Sequence, residues 1–359
     1  MTFDLHALQE AVKTSAHVTP RGSGSKSSVA ASAVTLNLSP YTGIIDYQPS
    51  EFIVTAWAGT PIRDLQALLA GRGQYLAFDP LLAERGATVG GTVAANASGP
   101  ERFRYGGVRD FIIGCRFIDG NGKLLHGGGK VVKNAAGFDY PKLFVGSMGL
   151  LGALVDVTFK VFPAPEAYAT LRVECRSLDR AIELLPKLTN SPYDINAIDI
   201  RVEPGPARPA QPAGLQPATL DIRVGGLASG LAQRMDRVRA MCASGEVLTG
   251  DAEAAVWRAA REFTWVSEGV HVVKVPVTPA KIPMLDARLE GLARRYSVGG
   301  NVAWIGAPKD HGLDSLLRDQ GLSGLTFFAA PGGARIGLRE RNLFAERAKR
   351  ALDPEGKFI

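Results

Sequence analysis

Sixteen glycines fall between Gly86 and Gly152, in a stretch whose apolar pattern still reads as strands and turns. Glycine loses the most backbone freedom on folding and weakens strand interiors. A folded chain keeps that many where the backbone turns at positive φ or where something lies against bare main chain. Two runs fit the second description, Pro20-Arg21-Gly22-Ser23-Gly24-Ser25 and Ala87-Thr88-Val89-Gly90-Gly91-Thr92. Their small side chains leave main-chain N–H groups uncovered, and successive N–H groups in a turn form a concavity that holds phosphate. Thr88 and Ser98, the latter followed by Gly99, add hydroxyl groups that can donate to phosphate or polyol oxygens. The chemistry this predicts is a grip on a diphosphate cofactor. Arg102, Arg104 and Arg109 follow the second run, either as neighbours of that diphosphate or as a solvated basic edge.

Other chemistries find less support. The first run contains Gly-x-Gly but lacks the third glycine and the helix of a dinucleotide-binding fingerprint, and it has no Walker spacing. The five histidines (His6, His17, His126, His271, His311) are scattered, with no H-x-H or H-E-x-x-H spacing, so no metal site is read. His271 alternates with its neighbours as a sheet residue does. No Ser/His/Asp or paired-carboxylate arrangement emerges, and no catalytic residue is assigned. Cys115, Cys175 and Cys242 are widely spaced and form no C-x-x-C. That suits a reducing cytoplasm and argues against iron–sulfur or zinc ligation by this chain.

The elements that must position the two runs belong to a chain of 359 residues, for which two domains are expected. Its 46% hydrophobic and 21% charged residues are those of a soluble globular protein. No apolar run approaches the roughly 20 residues that span a bilayer, and no secretory signal is read at Met1-Thr2-Phe3-Asp4. The net charge of +6 is spread evenly along the sequence. A nucleic-acid binder concentrates such charge on one face or tail; here it would at most attract small anions, an acidic partner subunit or an anionic membrane surface.

After a short helical start, Ala33–Leu38, Ile44–Tyr47 and Phe52–Trp57 read as strands. Thr60-Pro61-Ile62-Arg63-Asp64 opens a helix with Thr60 as its cap. Phe111–Ile118 and Lys123–His126 form a hairpin through Asp119-Gly120-Asn121-Gly122. Leu154–Phe162 is a further strand, halted by Pro163 and Pro165, and that double proline sets the domain boundary. Beyond it lie Leu171–Cys175, a helix at Leu178–Leu188 capped by Ser177, and strands at Ile198–Val202 and Thr219–Val224. A proline-rich loop, Glu203 to Pro217, separates those two strands. Helices at Ala228–Cys242, Ala252–Phe263, Lys281–Arg295 and Arg339–Leu352 alternate with strands at Val270–Val277, Val302–Ile305 and Leu325–Ala329.

A third run, Gly129 to Tyr140 followed by Gly146-Ser147-Met148-Gly149-Leu150-Leu151-Gly152, completes a set of three ordered motifs. Together they resemble the FAD-binding domain of the vanillyl-alcohol oxidase, or p-cresol methylhydroxylase, type over residues 15–165. Within that type the chain is similar to the flavin subunits of bacterial glycolate oxidases. Gly43-Ile44-Ile45-Asp46-Tyr47, Ala58-Gly59-Thr60-Pro61, Gly73–Asp79 and the C-terminal Asp353-Pro354-Glu355-Gly356-Lys357-Phe358 carry that likeness. The family's Gly-Ser-Glu-Gly is Gly-Ser-Met-Gly here, so a carboxylate is missing at Met148.

The resemblance implies an α+β, two-lobed FAD-binding domain at residues 1–165, a smaller α+β cap at 166–338 and a C-terminal helix, 339–359, returning to the first domain. It implies noncovalent FAD, held by Arg21, Gly22, Ser23, Gly24, Ser25, Thr88, Val89, Gly90, Gly91, Ser98 and Gly99, with the Val155 backbone at the adenine. It implies a complex with a second FAD-binding glycolate oxidase subunit and an iron–sulfur subunit, oxidising a small 2-hydroxy acid. Neither nucleic acid nor a membrane span is implied. The location would be cytoplasmic, peripheral at most on the inner face of the cell membrane through the partners. A self-sufficient 2-hydroxy-acid or sugar-acid dehydrogenase and a non-catalytic assembly subunit are the alternatives.

Overall fold

The computed structural model describes residues 4–26, 33–129, 138–203, 216–308, 311–328 and 335–359. Residues 130–137 of the third run and 204–215 of the proline-rich loop lie outside the described residues. The chain divides into two compact units. Unit 1 comprises Met1–Gly99, Gly106–Ala164 and Glu340–Ile359; unit 2 comprises Pro100–Tyr105 and Pro165–Arg339. The units are nearly equal in size.

In unit 1, β1 (Val18–Arg21) and β2 (Val34–Asn37) pair in parallel. The others are β3 (Ile44–Gln48), β4 (Ile53–Trp57), β5 (Gln74–Tyr75), β6 (Ile112–Ile118), β7 (Leu124–Gly128), β8 (Ala153–Lys160) and β9 (Phe162–Pro163). Five of these form an antiparallel sheet in the order β3-β4-β8-β6-β7, while β5 pairs with β9. The near-continuous apolar sequence of β8 suits its central place, buried along almost its whole length. The β6–β7 hairpin forms at the turn that the sequence marks, where the Asp119 carboxylate accepts from the N–H groups of Asn121 and Lys123. Thr60, expected to cap the following helix, instead exchanges hydrogen bonds with the Gly43 backbone, and the helix runs Ile62–Ala70. The physical reason is that Ile62 N–H is already held by the Ala87 carbonyl at 2.7 Å.

One apolar cluster of this unit joins Val12, Val18, Leu36, Ile118 and Val155 to Phe358 near the C-terminus. The C-terminal helix, Leu343–Leu352, is capped by Asn342. Asp353 beyond it accepts from the N–H groups of Lys357 and Phe358 and from the Lys349 ammonium. The tail then brackets β1: Val18 N–H donates to the Lys357 carbonyl and Ile359 N–H to the Val18 carbonyl.

Unit 2 is built on one nine-stranded antiparallel sheet. Its strands are β10 (Ala167–Cys175), β11 (Ile195–Val202), β12 (Ala218–Gly226), β13 (Glu246–Thr249), β14 (His271–Pro276), β15 (Arg294–Ser297), β16 (Val302–Ala307), β17 (Ser323–Phe327) and β18 (Arg335–Gly337). The spatial order is β13-β10-β12-β11-β15-β16-β14-β17-β18. Leu171, Ile198, Ile200, Ile222, Val273 and Ile305 join an apolar core with residues of the helices Leu178–Thr189, Ala228–Cys242 and Leu313–Asp319. The helix expected at Lys281–Arg295 is only Ile282–Asp286. Gly291 takes a positive φ and Arg294–Ser297 leaves the helix to pair between β11 and β16. Among the described residues, no helix is long and apolar enough to cross a membrane.

Because Phe358 is fully buried on the cluster that carries β1, Phe358→Ala is expected to cost about 3–5 kcal/mol. Equilibrium urea unfolding checks this; an unchanged midpoint would mean that the tail does not brace β1.

Candidate cofactor site

The three glycine-bearing segments of unit 1 come together. β1 delivers the chain to Gly22, where an added Cβ would stand 2.4 Å from Thr88 Oγ1. Only a residue without a side chain lets the first loop lie that close to the second. Gly24 takes φ +76°, a left-handed conformation that glycine adopts without strain, and the Arg21 side chain folds back against it. Ser23 lies beside Gly86, and Pro20 beside Gly149 of the Gly-Ser-Met-Gly segment. Gly146 and Met148 donate their N–H groups to the Val93 and Ala94 carbonyls, capping the end of the second run.

Within this cluster the two runs differ in what they leave unsatisfied. Among the described residues, the N–H groups of Gly22, Ser23, Gly24 and Ser25 have no acceptor. Successive uncommitted donors of this kind are what a phosphate-binding concavity requires. The second run is different: Val89–Ala94 is a short helix capped by Thr88, whose Oγ accepts from Gly91 N–H at 3.3 Å. Val89 N–H donates to the Thr60 carbonyl and Gly90 N–H to the Ala58 carbonyl, at 2.9 and 2.8 Å. The expectation of bare N–H groups along Val89 and Gly90 is therefore corrected. That run presents shape and hydroxyl groups, because its donors complete a helix start and its attachment to β4.

The remaining expected contacts are placed as follows. Ser98 is buried, its Oγ accepting from Val108 N–H at 2.9 Å, which leaves the hydroxyl hydrogen to donate. Gly99 is packed on the Asp79 backbone, where a Cβ would meet the Asp79 carbonyl at 2.3 Å. Val155 sits in the core of β8 and gives its carbonyl to Ala58 N–H at 2.8 Å. Of the arginines after the second run, Arg104 belongs to unit 2 and pairs with Asp194 at 3.2 Å, while Arg109 donates to the Lys142 carbonyl. Neither carries the role of diphosphate neighbour. Lys26 was not among the expected contacts. It is only 6% exposed, and its ammonium lies 3.8 Å from the position of a Cβ on Gly91. The signal was present in the sequence as a lysine closing the first loop. Among the described residues, Thr92 Oγ1 and Ser147 Oγ are buried without partners, further polar atoms on the two segments that meet there.

The uncommitted N–H row, the side-chain-free approach of Gly22 to Thr88 and the adjoining Lys26 charge fit a pyrophosphate. An FAD-binding domain family matches residues 5–128. Across 99% of this chain and 94% of the relative, the sequence is 31% identical to glycolate oxidase subunit GlcE of Escherichia coli K12. The chain belongs to the GlcE family. More distant members of the wider group match over part of their length. GlcD of Bacillus subtilis is 29% identical over 46% of this chain and 36% of that protein. A D-lactate dehydrogenase of Anaerostipes hadrus is 31% identical over 43% and 32%. A solved alkyldihydroxyacetonephosphate synthase superposes with a TM-score of 0.71 at 16% identity, over 98% of this chain and 74% of that one. It shows that this GlcE-family chain has the α+β fold of the vanillyl-alcohol oxidase type.

Burial and charge separate the ionisable groups. Cys115 is buried beside Asp156 and Asp139, and burial pushes its thiol far above the ordinary range, which keeps it unreactive. In unit 2, burial and then the Arg102 charge push Lys274 down to about 7, and burial raises Asp199 to about 6. Among the described residues, no group of histidine, cysteine and carboxylate side chains is arranged to hold a metal ion.

Gly22→Ala is expected to weaken FAD retention at least tenfold, read as flavin content after gel filtration. Gly71→Ala, where a Cβ meets only ordinary contacts, is expected to retain it. Equal flavin in both variants would contradict the assignment. Lys274 gives a pH test. Its folded value lies below the ordinary 10.5, so between about 7 and 10.5 the unfolded chain binds more protons and stability rises with pH. Lys274→Met is expected to flatten that rise in urea unfolding across the window; an unaltered slope would contradict it.

Proposed function

We propose that the chain is the FAD-binding subunit of a glycolate-oxidising complex. In that complex glycolate becomes glyoxylate, and electrons pass through FAD to an iron–sulfur subunit beside a second flavin subunit. The observation that carries the reading is the end-to-end similarity to GlcE, joined to a loop whose four free N–H groups suit a pyrophosphate. FAD supplies the two-electron acceptor that the protein's own side chains lack.

The chain's residues do the positioning. The N–H groups of Gly22, Ser23, Gly24 and Ser25 would hold the pyrophosphate oxygens, with Lys26 adding charge beside them. Thr88, Val89, Gly90 and Gly91 would form the close wall, and Ser98 with Gly99 would border the polyol. Val155 would face the adenine through its backbone. The attachment is noncovalent, because Cys115 is buried and His17 lies in no motif position for linkage.

The visible spectrum of the purified chain under anaerobic glycolate tests the reading. Bound oxidised flavin that bleaches only after the partner subunits are added is the expected result. Bleaching by glycolate with this chain alone would instead make it a self-sufficient dehydrogenase. Absence of flavin both alone and with the partners would make it an assembly subunit.

A further inference from the structure

One short excursion interrupts unit 1. Pro100–Tyr105 belongs to unit 2, while Gly99 before it and Gly106 after it belong to unit 1. The excursion begins directly after Ser98 and Gly99, the residues read above as the border of the FAD polyol.

Its base is tied within unit 1. Ser98 Oγ accepts from Val108 N–H at 2.9 Å, closing a neck between residues ten apart. Gly99 N–H donates to the Asp79 carbonyl at 2.6 Å, and Gly107 N–H to the Asp110 carboxylate at 2.8 Å. Val108 occupies one lone pair of the Ser98 hydroxyl, so the position of the neck decides where the hydroxyl hydrogen can point.

The excursion itself is anchored within unit 2 by three of its side chains. Glu101, only 1% exposed, accepts from Arg223 Nη1 at 2.8 Å. Arg223 is fixed in turn: its Nε and Nη2 donate to the two Glu253 oxygens at 2.8 and 3.3 Å, and its guanidinium lies 3.7 Å over the Tyr168 ring. Thr170 Oγ1 donates to Glu253 and accepts from Trp257 Nε1. Arg104 donates to the Asp194 carbonyl at 2.6 Å and pairs with its carboxylate at 3.2 Å. Phe103 packs on the apolar core, beside Gly299 at φ +61°, where an added Cβ would stand 2.9 Å from the Phe103 ring.

Connecting segments ordinarily run over the surface with their charges in water. Burying a guanidinium with two carboxylates is a poor way to gain stability, because desolvation offsets the attraction unless the geometry is tight. What such a network does supply is one fixed arrangement. Here the fixed object is the path of the chain between Gly99 and Gly106.

We propose that Pro100–Tyr105 is a positioning strap for FAD. Arg223, acting through Glu101, and Arg104 hold the neck so that the Ser98 hydroxyl needs no reorganisation when the cofactor binds. The strap rests on the reading of Ser98 as a cofactor contact.

Fluorescence titration of the flavin-stripped full chain with FAD tests this, with urea unfolding recorded for every variant. Glu101→Gln and Arg104→Gln are each expected to weaken FAD binding about threefold to tenfold. In a Ser98→Ala background neither is expected to weaken it further, since both act through that hydroxyl. Arg294→Gln removes an equally buried arginine, held by Asp286 elsewhere in unit 2, and is expected to lose stability at unchanged FAD affinity. Parent-like affinity in both strap variants, with Ser98→Ala weakened, would overturn the strap and leave the Ser98 contact standing. Parent-like affinity in Ser98→Ala would sink that contact and the strap with it. Strap losses that add in full to that of Ser98→Ala, or that Arg294→Gln matches, would be general destabilisation and would overturn the strap.

Discussion

Among the described residues, the N–H groups of Gly22, Ser23, Gly24 and Ser25 have no protein acceptor, and the elements around them in unit 1 fix the loop that carries them. β1 feeds the loop, and its first residue is clamped by the C-terminal tail through both its N–H and its carbonyl. Gly22 lets the loop settle on Thr88, and Gly24 supplies a left-handed turn within it. A stiff frame matters because each donor is useful to an anion only if it need not reorganise on binding.

The second glycine run shows how differently the same composition can be used. Val89 and Gly90 spend their N–H groups on Thr60 and Ala58, fixing the short helix to the sheet. The small side chains then serve close packing. Gly90 has Ala58 beside it, and Gly99 lies on the Asp79 carbonyl. One loop therefore leaves its donors uncommitted among the described residues and the other spends them on packing, a difference that glycine counts alone do not show.

Where local signals act alone, the sequence was readable. Ser177 caps its helix, Asp119 closes its hairpin, and Ala228–Cys242 runs as its periodicity suggests. The three-motif order carried the cofactor class because glycine and hydroxyl spacing is itself the site. What could not be read depended on partners distant in sequence. Arg294 and Arg295 end an expected helix, yet β11 and β16 claim Arg294–Ser297 as a strand on either side. Lys274 falls in an expected strand and Arg295 at the end of an expected helix, and only the nine-stranded register buries both with Trp304. Arg104 and Arg109 read equally as diphosphate neighbours or as a solvated basic edge, and only the fold shows Asp194 and the Lys142 carbonyl taking them.

The most direct test of the account is amide hydrogen exchange of the full chain with FAD removed and then restored. Strong new protection at Gly22, Ser23, Gly24 and Ser25 is predicted, with little change at Val89 and Gly90, whose N–H groups are already bonded. New protection confined to the Thr88–Gly91 turn, with the first loop unaffected, would contradict it.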